Sequence, residues 1–164
     1  MVSSIWDGVC ISNLTLKQRL YLKMKIIREF EEAVAKEVKS RKVVCPCHLY
    51  SGEEAIAVGV CENIKKEDSV YGNHRSHGHY LACGGDPKKL WGEIKGELDG
   101  CSKGYGGSMH IVDEGTPFRG SSAIVGGSIP LAVGSALKFK LFEEKNVSVT
   151  FFGDGAVSEG VFFE

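Results

Sequence analysis

Between Thr15 and Arg41 the apolar positions Leu20, Met24, Ile27, Phe30, Val34 and Val38 recur every three or four residues. That spacing predicts one long amphipathic helix. Thr15 followed by Gln18 matches a capping box, in which each side chain satisfies an amide that the first turn leaves unpaired. From about Gly52 to Asn63, small and polar residues alternate around Ala55, Val58, Gly59 and Glu62, which predicts a second, closely packed helix. Ser51 and Glu54 repeat the capping spacing at its start. Ser69 to Tyr71 is expected to be a short strand that feeds a histidine-rich loop, NHRSHGHYLA. Asp86 as cap and Pro87 in the first turn open another helix, expected to run through Leu90, Ile94 and Leu98.

Gly100 to Gly120 lacks any period and is expected to be loop. A helix follows over Ile129 to Phe142, with Pro130 tolerated in its first turn. Val147 to Phe152, VSVTFF, is a β-branched and aromatic run suited to a strand buried on both faces of a parallel sheet. It ends in Gly153-Asp154-Gly155, and AVSEGVFFE then begins a further helix. Helix, buried strand and Gly-rich turn in that order predict an α/β fold, whose ligands sit beyond the carboxyl ends of the strands. The expected organisation is a helical segment over 1–45 and an incomplete α/β domain over 46–164. With one convincing strand and one other, the chain is expected to be the amino-terminal part of a longer protein.

Composition narrows the function classes. Twenty basic against twenty-one acidic residues give a net charge of -1, without the cationic excess that neutralises nucleic-acid phosphates. No apolar run approaches the roughly 20 residues of a membrane span. The start, MVSSIWDGVC, carries an acid and no base, unlike a signal or transit peptide, so a cytoplasmic location is expected. In that compartment the six cysteines, Cys10, Cys45, Cys47, Cys61, Cys83 and Cys101, are expected as reduced thiols. The 21 glycines fall mostly after position 70, in loops where backbone can approach a ligand.

Three constellations could carry chemistry. In Gly153-Asp154-Gly155 the glycines admit a phosphate and the carboxylate can hold a divalent cation, although an ordinary tight turn uses the same residues. A dinucleotide fingerprint fails there at Ser158, and a P-loop fails at Val161. His74-Arg75-Ser76-His77-Gly78-His79 sets a guanidinium fork suited to phosphate oxygens among three imidazoles. With Cys45, Cys47 and His48 the same histidines could instead ligate zinc, which would make a zinc-stabilised, non-catalytic binding module. Ser121 to Gly127 is a turn of small and apolar residues whose main chain could read the edge of a heterocycle, and His48 stands just before a helix, where loops carry functional groups.

In order, the segments HLYSGEEAIAVGV (48–60), HRSHGH (74–79), GYGGSMHI (104–111), AIVGGSIPLAVGSAL (123–137) and FFGDGAVSEG (151–160) resemble the alpha subunit of thiamine-diphosphate-dependent 2-oxo acid dehydrogenase E1 components, of the pyruvate or acetoin type. The resemblance covers nearly the whole chain. It implies a thiamine-diphosphate-binding α/β fold, with a parallel sheet flanked by helices, that this sequence leaves after the GDG turn. In such enzymes the cofactor decarboxylates the 2-oxo acid, or cleaves acetoin, and the acyl fragment passes to a lipoyl group on E2.

Carried over by position, the resemblance implies that Asp154 binds Mg²⁺, that the backbone of Gly155 and Ala156 meets the diphosphate, and that Arg75 contacts a phosphate oxygen. His74 stands where many pyruvate-type members have a diphosphate-binding Tyr. Ala123 and Val125 are implied to meet the aminopyrimidine, with Val125 wedging the cofactor into its bent shape. His48 and His77 are the implied catalytic histidines. The family's second metal ligand, an asparagine further along, lies beyond Glu164, and the activating carboxylate belongs to a beta subunit. An alpha2beta2 assembly is therefore implied, with the 164 residues inactive alone.

Overall fold

The computed structural model describes residues 13–164, so Cys10 and the amino-terminal run read for targeting lie outside the described residues. Helix α1 spans Leu16–Lys39 and opens on the expected box, with the Thr15 side chain and Gln18 each bonded to the other's backbone N–H. Its buried stripe is Ile27, Phe30, Glu31 and Val34. Against it lies α2, Glu54–Cys61. The Ser51 and Glu54 box does not form: Glu53 stands at the cap without a side-chain bond. Glu54 instead accepts from Gly52 N–H at 3.1 Å and from Arg28 Nε at 2.6 Å. A cation from α1 thus takes the carboxylate that the spacing had assigned to capping.

Strand β1, Ser69–Gly72, leads into α3, His77–Ala82. The histidine-rich segment is therefore no surface loop, since His77, Gly78 and His79 all lie in that helix and are buried. Helix α4, Pro87–Lys95, has the expected Asp86 cap but stops at Gly96 in the left-handed region (φ 75°), which leaves Leu98 outside it and exposed. A second strand, β2, Phe118–Ser121, ends the stretch expected to be all loop. Helix α5, Ser128–Leu141, and strand β3, Ser148–Thr150, follow. Asp154–Ser158 is a 3₁₀ turn and Gly160–Phe163 a short helix, α6.

The sheet is parallel, in the order β2-β1-β3. Val70 pairs with Phe118 on one side and with Val149 on the other. Residues 148–150 are half-buried rather than buried on both faces. Among the described residues β3 has one neighbour, β1, so its other edge lacks cover. Helix α5 is tied to the sheet by Thr150 Oγ1 donating to Ser128 Oγ at 3.0 Å. A single buried cluster joins Ile27 and Val34 of α1 to Val58, Val70, Leu81, Ile94, Phe118 and Phe151. No helix among the described residues is long and apolar enough to cross a membrane.

Candidate functional site

All three strands run in one direction, so their carboxyl ends share one edge of the sheet. Chain leaving a parallel strand there has backbone groups free of the ladder, which is why such edges bind ligands. After β1 come Asn73, His74 and Arg75; after β2, Ala123 and Val125; after β3, Gly153 and Asp154. Three segments far apart in sequence are thereby brought to one place.

A cleft of about 230 Å³ opens at this edge, lined by His74, Arg75 and Asp154 together with Tyr50, His79 and Phe151. The Arg75 fork is aimed by its surroundings. Its Nη1 donates to the Leu49 carbonyl at 2.6 Å, its backbone N–H donates to Asn73 Oδ1 at 2.8 Å, and Ser76 Oγ closes the turn on the Asn73 carbonyl. Asp154 begins the 3₁₀ turn and is exposed. A Cβ placed on Gly153 or on Gly155 would meet nothing within 4 Å, so the turn leaves room beside its main chain. Two buried polar atoms of the lining, Tyr50 Oη and His79 Nδ1, have no hydrogen-bond partner. A buried polar atom left without a partner costs stability, and a polar group entering the cleft would supply one.

His48 is exposed and meets the His74 ring edge-on, with centroids 5.0 Å apart. Burial first, and then the neighbouring His48 and Arg75 charges, hold the His74 imidazole below its ordinary range. It is therefore neutral at neutral pH and offers one donor and one acceptor. Burial, reinforced by His77, pushes His79 down to about 3, and its ring stacks on Phe151 at 4.0 Å. A cationic imidazole has no place there.

His77 stands apart from this group. Its Nδ1 meets Glu31 Oε1 at 2.9 Å, its Nε2 meets Ser108 Oγ at 2.8 Å, and it is fully buried. Both ring nitrogens are committed, and His77 ties α1, α3 and the loop after α4 together. Ala123 and Val125 sit in the turn between β2 and α5, with Val125 about half exposed, at the same sheet edge but outside the cleft lining. Gly155 and Ala156 continue the 3₁₀ turn from Asp154, and Ala156 is buried.

Sequence reasoning overlooked Tyr50 and Asn73, and it named His79 among three imidazoles without giving it a place in the cleft. Tyr50 and Asn73 lie within or beside quoted motifs, while nothing in the HRSHGH pattern tells which histidine faces the cleft. The zinc alternative finds no support. Among the described residues no group of three or more His, Cys, Asp or Glu side chains is placed to hold a metal ion. The thiols of Cys45 and Cys47 are turned to the carbonyls of Ile94 and Cys45.

Residues 22–164 match the family of dehydrogenase E1 components. The chain is 48% identical over 145 residues to the alpha subunit of acetoin:2,6-dichlorophenolindophenol oxidoreductase from Bacillus subtilis (strain 168), covering 88% of this chain and 44% of that protein. It is 40% identical over 141 residues to the pyruvate dehydrogenase E1 component subunit alpha of Rickettsia prowazekii (strain Madrid E), covering 86% and 43%. The chain thus spans less than half the length of the curated relatives it matches.

Proposed function

The chain belongs to the dehydrogenase E1 component family, and on that premise we propose that it is the part of an alpha subunit that grips thiamine diphosphate and Mg²⁺ in an enzyme acting on pyruvate or acetoin. The observation that carries the reading is the convergence of Arg75, Asp154 and the open Gly153-Gly155 turn on one cleft at the carboxyl edge of a parallel sheet. The unpartnered Tyr50 and His79 atoms fit a polar, multiply charged group there.

When bound, the cofactor supplies the carbanion chemistry that splits the bond beside the substrate's oxo carbon. The chain's own residues hold and orient. Arg75 offers a rigid, permanently charged fork for a phosphate oxygen, already fixed at one nitrogen by Leu49. Asp154 supplies a hard oxygen ligand suited to Mg²⁺, and the backbone of Gly155 and Ala156 lies beside it for the diphosphate. His74, kept neutral, can donate to that group without adding charge. The main chain at Ala123 and Val125 is assigned to the aminopyrimidine, with the Val125 side chain as the wedge. His48, exposed beside His74, is assigned to the substrate as the catalytic residue. His77 takes a positioning role through Glu31 and Ser108.

Transfer of the acyl fragment to a lipoyl group on E2, and an alpha2beta2 assembly with a beta subunit, follow as part of the same proposal. The alpha-subunit names of the relatives support it. Pyruvate and acetoin both stay within it, since relatives of either name match over the same region.

The test is calorimetric titration of thiamine diphosphate with Mg²⁺ into the full-length subunit assembled with its beta partner, for wild type and Asp154→Ala. Metal-dependent binding in wild type, weakened at least tenfold in the variant, is expected. Binding indifferent to Asp154 in a folded assembly would remove the metal assignment, and no binding at all would remove the reading.

A further inference from the structure

Away from the cleft, on the side of α2 and α3 facing α1, a groove of about 400 Å³ is lined by Cys61 and Cys83 along with Arg19, Lys23, Glu62 and Gly84. The two sulfurs are 3.5 Å apart. Cys61 is the last residue of α2 and Cys83 caps the carboxyl end of α3. Neither thiol has another hydrogen-bond partner among the described residues, in contrast to Cys45 and Cys47, which are 3.6 Å apart but each donate to a carbonyl. Lys23 Nζ and Arg19, both held on Glu62, put cations beside the sulfurs in the groove.

We propose that Cys61 and Cys83 form a peroxide-oxidisable dithiol, a modification site that converts the packing of α2 on α3 into a reversible covalent bridge. Bridging brings the sulfurs from 3.5 Å to about 2.05 Å, a closure that falls on two helix ends rather than on helix interiors. The open groove admits a small oxidant such as hydrogen peroxide. Hydrogen bonding to Cys61 first, and burial second, hold the Cys83 thiol well above its ordinary range. Cys61 is buried and Cys83 half-buried on the groove, and whichever sulfur peroxide meets first, the other is already in contact to resolve it.

The chemistry balances with peroxide alone. One sulfur of the pair, as its thiolate, attacks one peroxide oxygen; an S–O bond forms, the O–O bond breaks, and the departing hydroxide takes the proton that thiol released and leaves as water. The other sulfur then displaces hydroxide from that sulfenic acid; the S–S bond forms, the S–O bond breaks, and the second thiol's proton goes with the hydroxide as a second water. Two thiols lose two electrons and two protons, and one peroxide becomes two waters. A resolving sulfur already in contact intercepts the sulfenic acid before a second peroxide can carry it further. The bridge closes a loop that contains β1, His74 and Arg75 and ties together the two helices behind the cleft. Its formation does not depend on the thiamine reading.

The test treats the folded, assembled full-length subunit with hydrogen peroxide, blocks free thiols after unfolding, and maps peptides by mass. A Cys61 to Cys83 peptide lighter by two hydrogens, restored by dithiothreitol, is expected. In at least one of the single variants Cys61→Ser and Cys83→Ser, the remaining cysteine is expected to be trapped as sulfenic acid by dimedone, with little trapping in wild type. Recovery of both cysteines as blocked thiols from the treated wild-type protein would overturn the proposal, as would dimedone trapping above the wild-type level in neither single variant. The wild-type mapping decides even if a variant fails to fold.

Discussion

Glu93 shows how much a single side chain can organise. It is fully buried in α4, yet its carboxylate accepts four backbone N–H groups: Ser102 at 2.7 Å and Gly104 at 2.9 Å on one oxygen, Gly106 at 2.7 Å and Gly107 at 3.1 Å on the other. The glycine-rich segment after α4 is wrapped on this anion, and the segment's next residue, Ser108, holds His77. In the sequence Glu93 is one acid among twenty-one, one step from the apolar Ile94, and nothing distinguishes it. Only the folded loop supplies its donors. Glu93→Gln keeps the shape but turns an amide NH₂ toward N–H groups and removes the charge from the remaining bonds. A loss of about 3 kcal/mol is expected, because bonds to charged groups are worth roughly twice neutral ones and an unpaired buried donor adds its own cost. Urea unfolding of the two proteins measures it; a variant within 0.5 kcal/mol of wild type would show that the loop does not need the anion (roughly the scatter of neutral surface changes).

At the scale of elements, length or a cap made three of the helices legible. Helix α1 carries its period over 24 residues and its box at Thr15, α4 has Asp86 and Pro87, and α5 has 14 residues. Strand β2 and helix α3 have neither. FRGS alternates nothing and is a strand because Val70 and Tyr71 of β1 lie alongside it. HGHYLA is six residues, too short to display a helical period, and buried on every side. Its Gly78 is required by packing: a Cβ there would run into the ring of Tyr50. Gly78→Ala must therefore displace Tyr50, a cleft residue, or move α3. A destabilisation of about 2 kcal/mol is expected, in the range for overpacking a core. Cofactor binding should weaken with it, and tight binding in an Ala variant of wild-type stability would place Tyr50 outside the site.

The whole molecule sets which of the sequence's candidates meet. The segments after the strands were legible from their motifs, and the parallel sheet brings their ends to one edge. The choice between His77 and His79 was not, because residues two apart on a six-residue helix face different neighbours, and only the docking of α3 against α1 and α2 decides which one faces the cleft. That docking makes His79 an acid-sensitive point. Its folded pKa of about 3 lies below the ordinary 6.5, so between those values the unfolded chain binds a proton that the folded chain refuses. Stability from this group is complete above pH 6.5 and declines as the pH falls below it, by about 1.4 kcal/mol per unit. His74, also lowered, acts in the same direction but is partly exposed and contributes less. The ion-paired carboxylates Glu54 and Glu62, held below 4.5, lose their contribution only at lower pH and stay outside the window. From pH 7 to pH 5 the full-length subunit should thus lose about 2 kcal/mol in urea unfolding, and His79→Gln, which cannot titrate, should lose well under half of that. Equal losses in the two proteins would mean that His79 is protonated in the folded state, and that its ring is not sealed against Phe151 as the stacking requires.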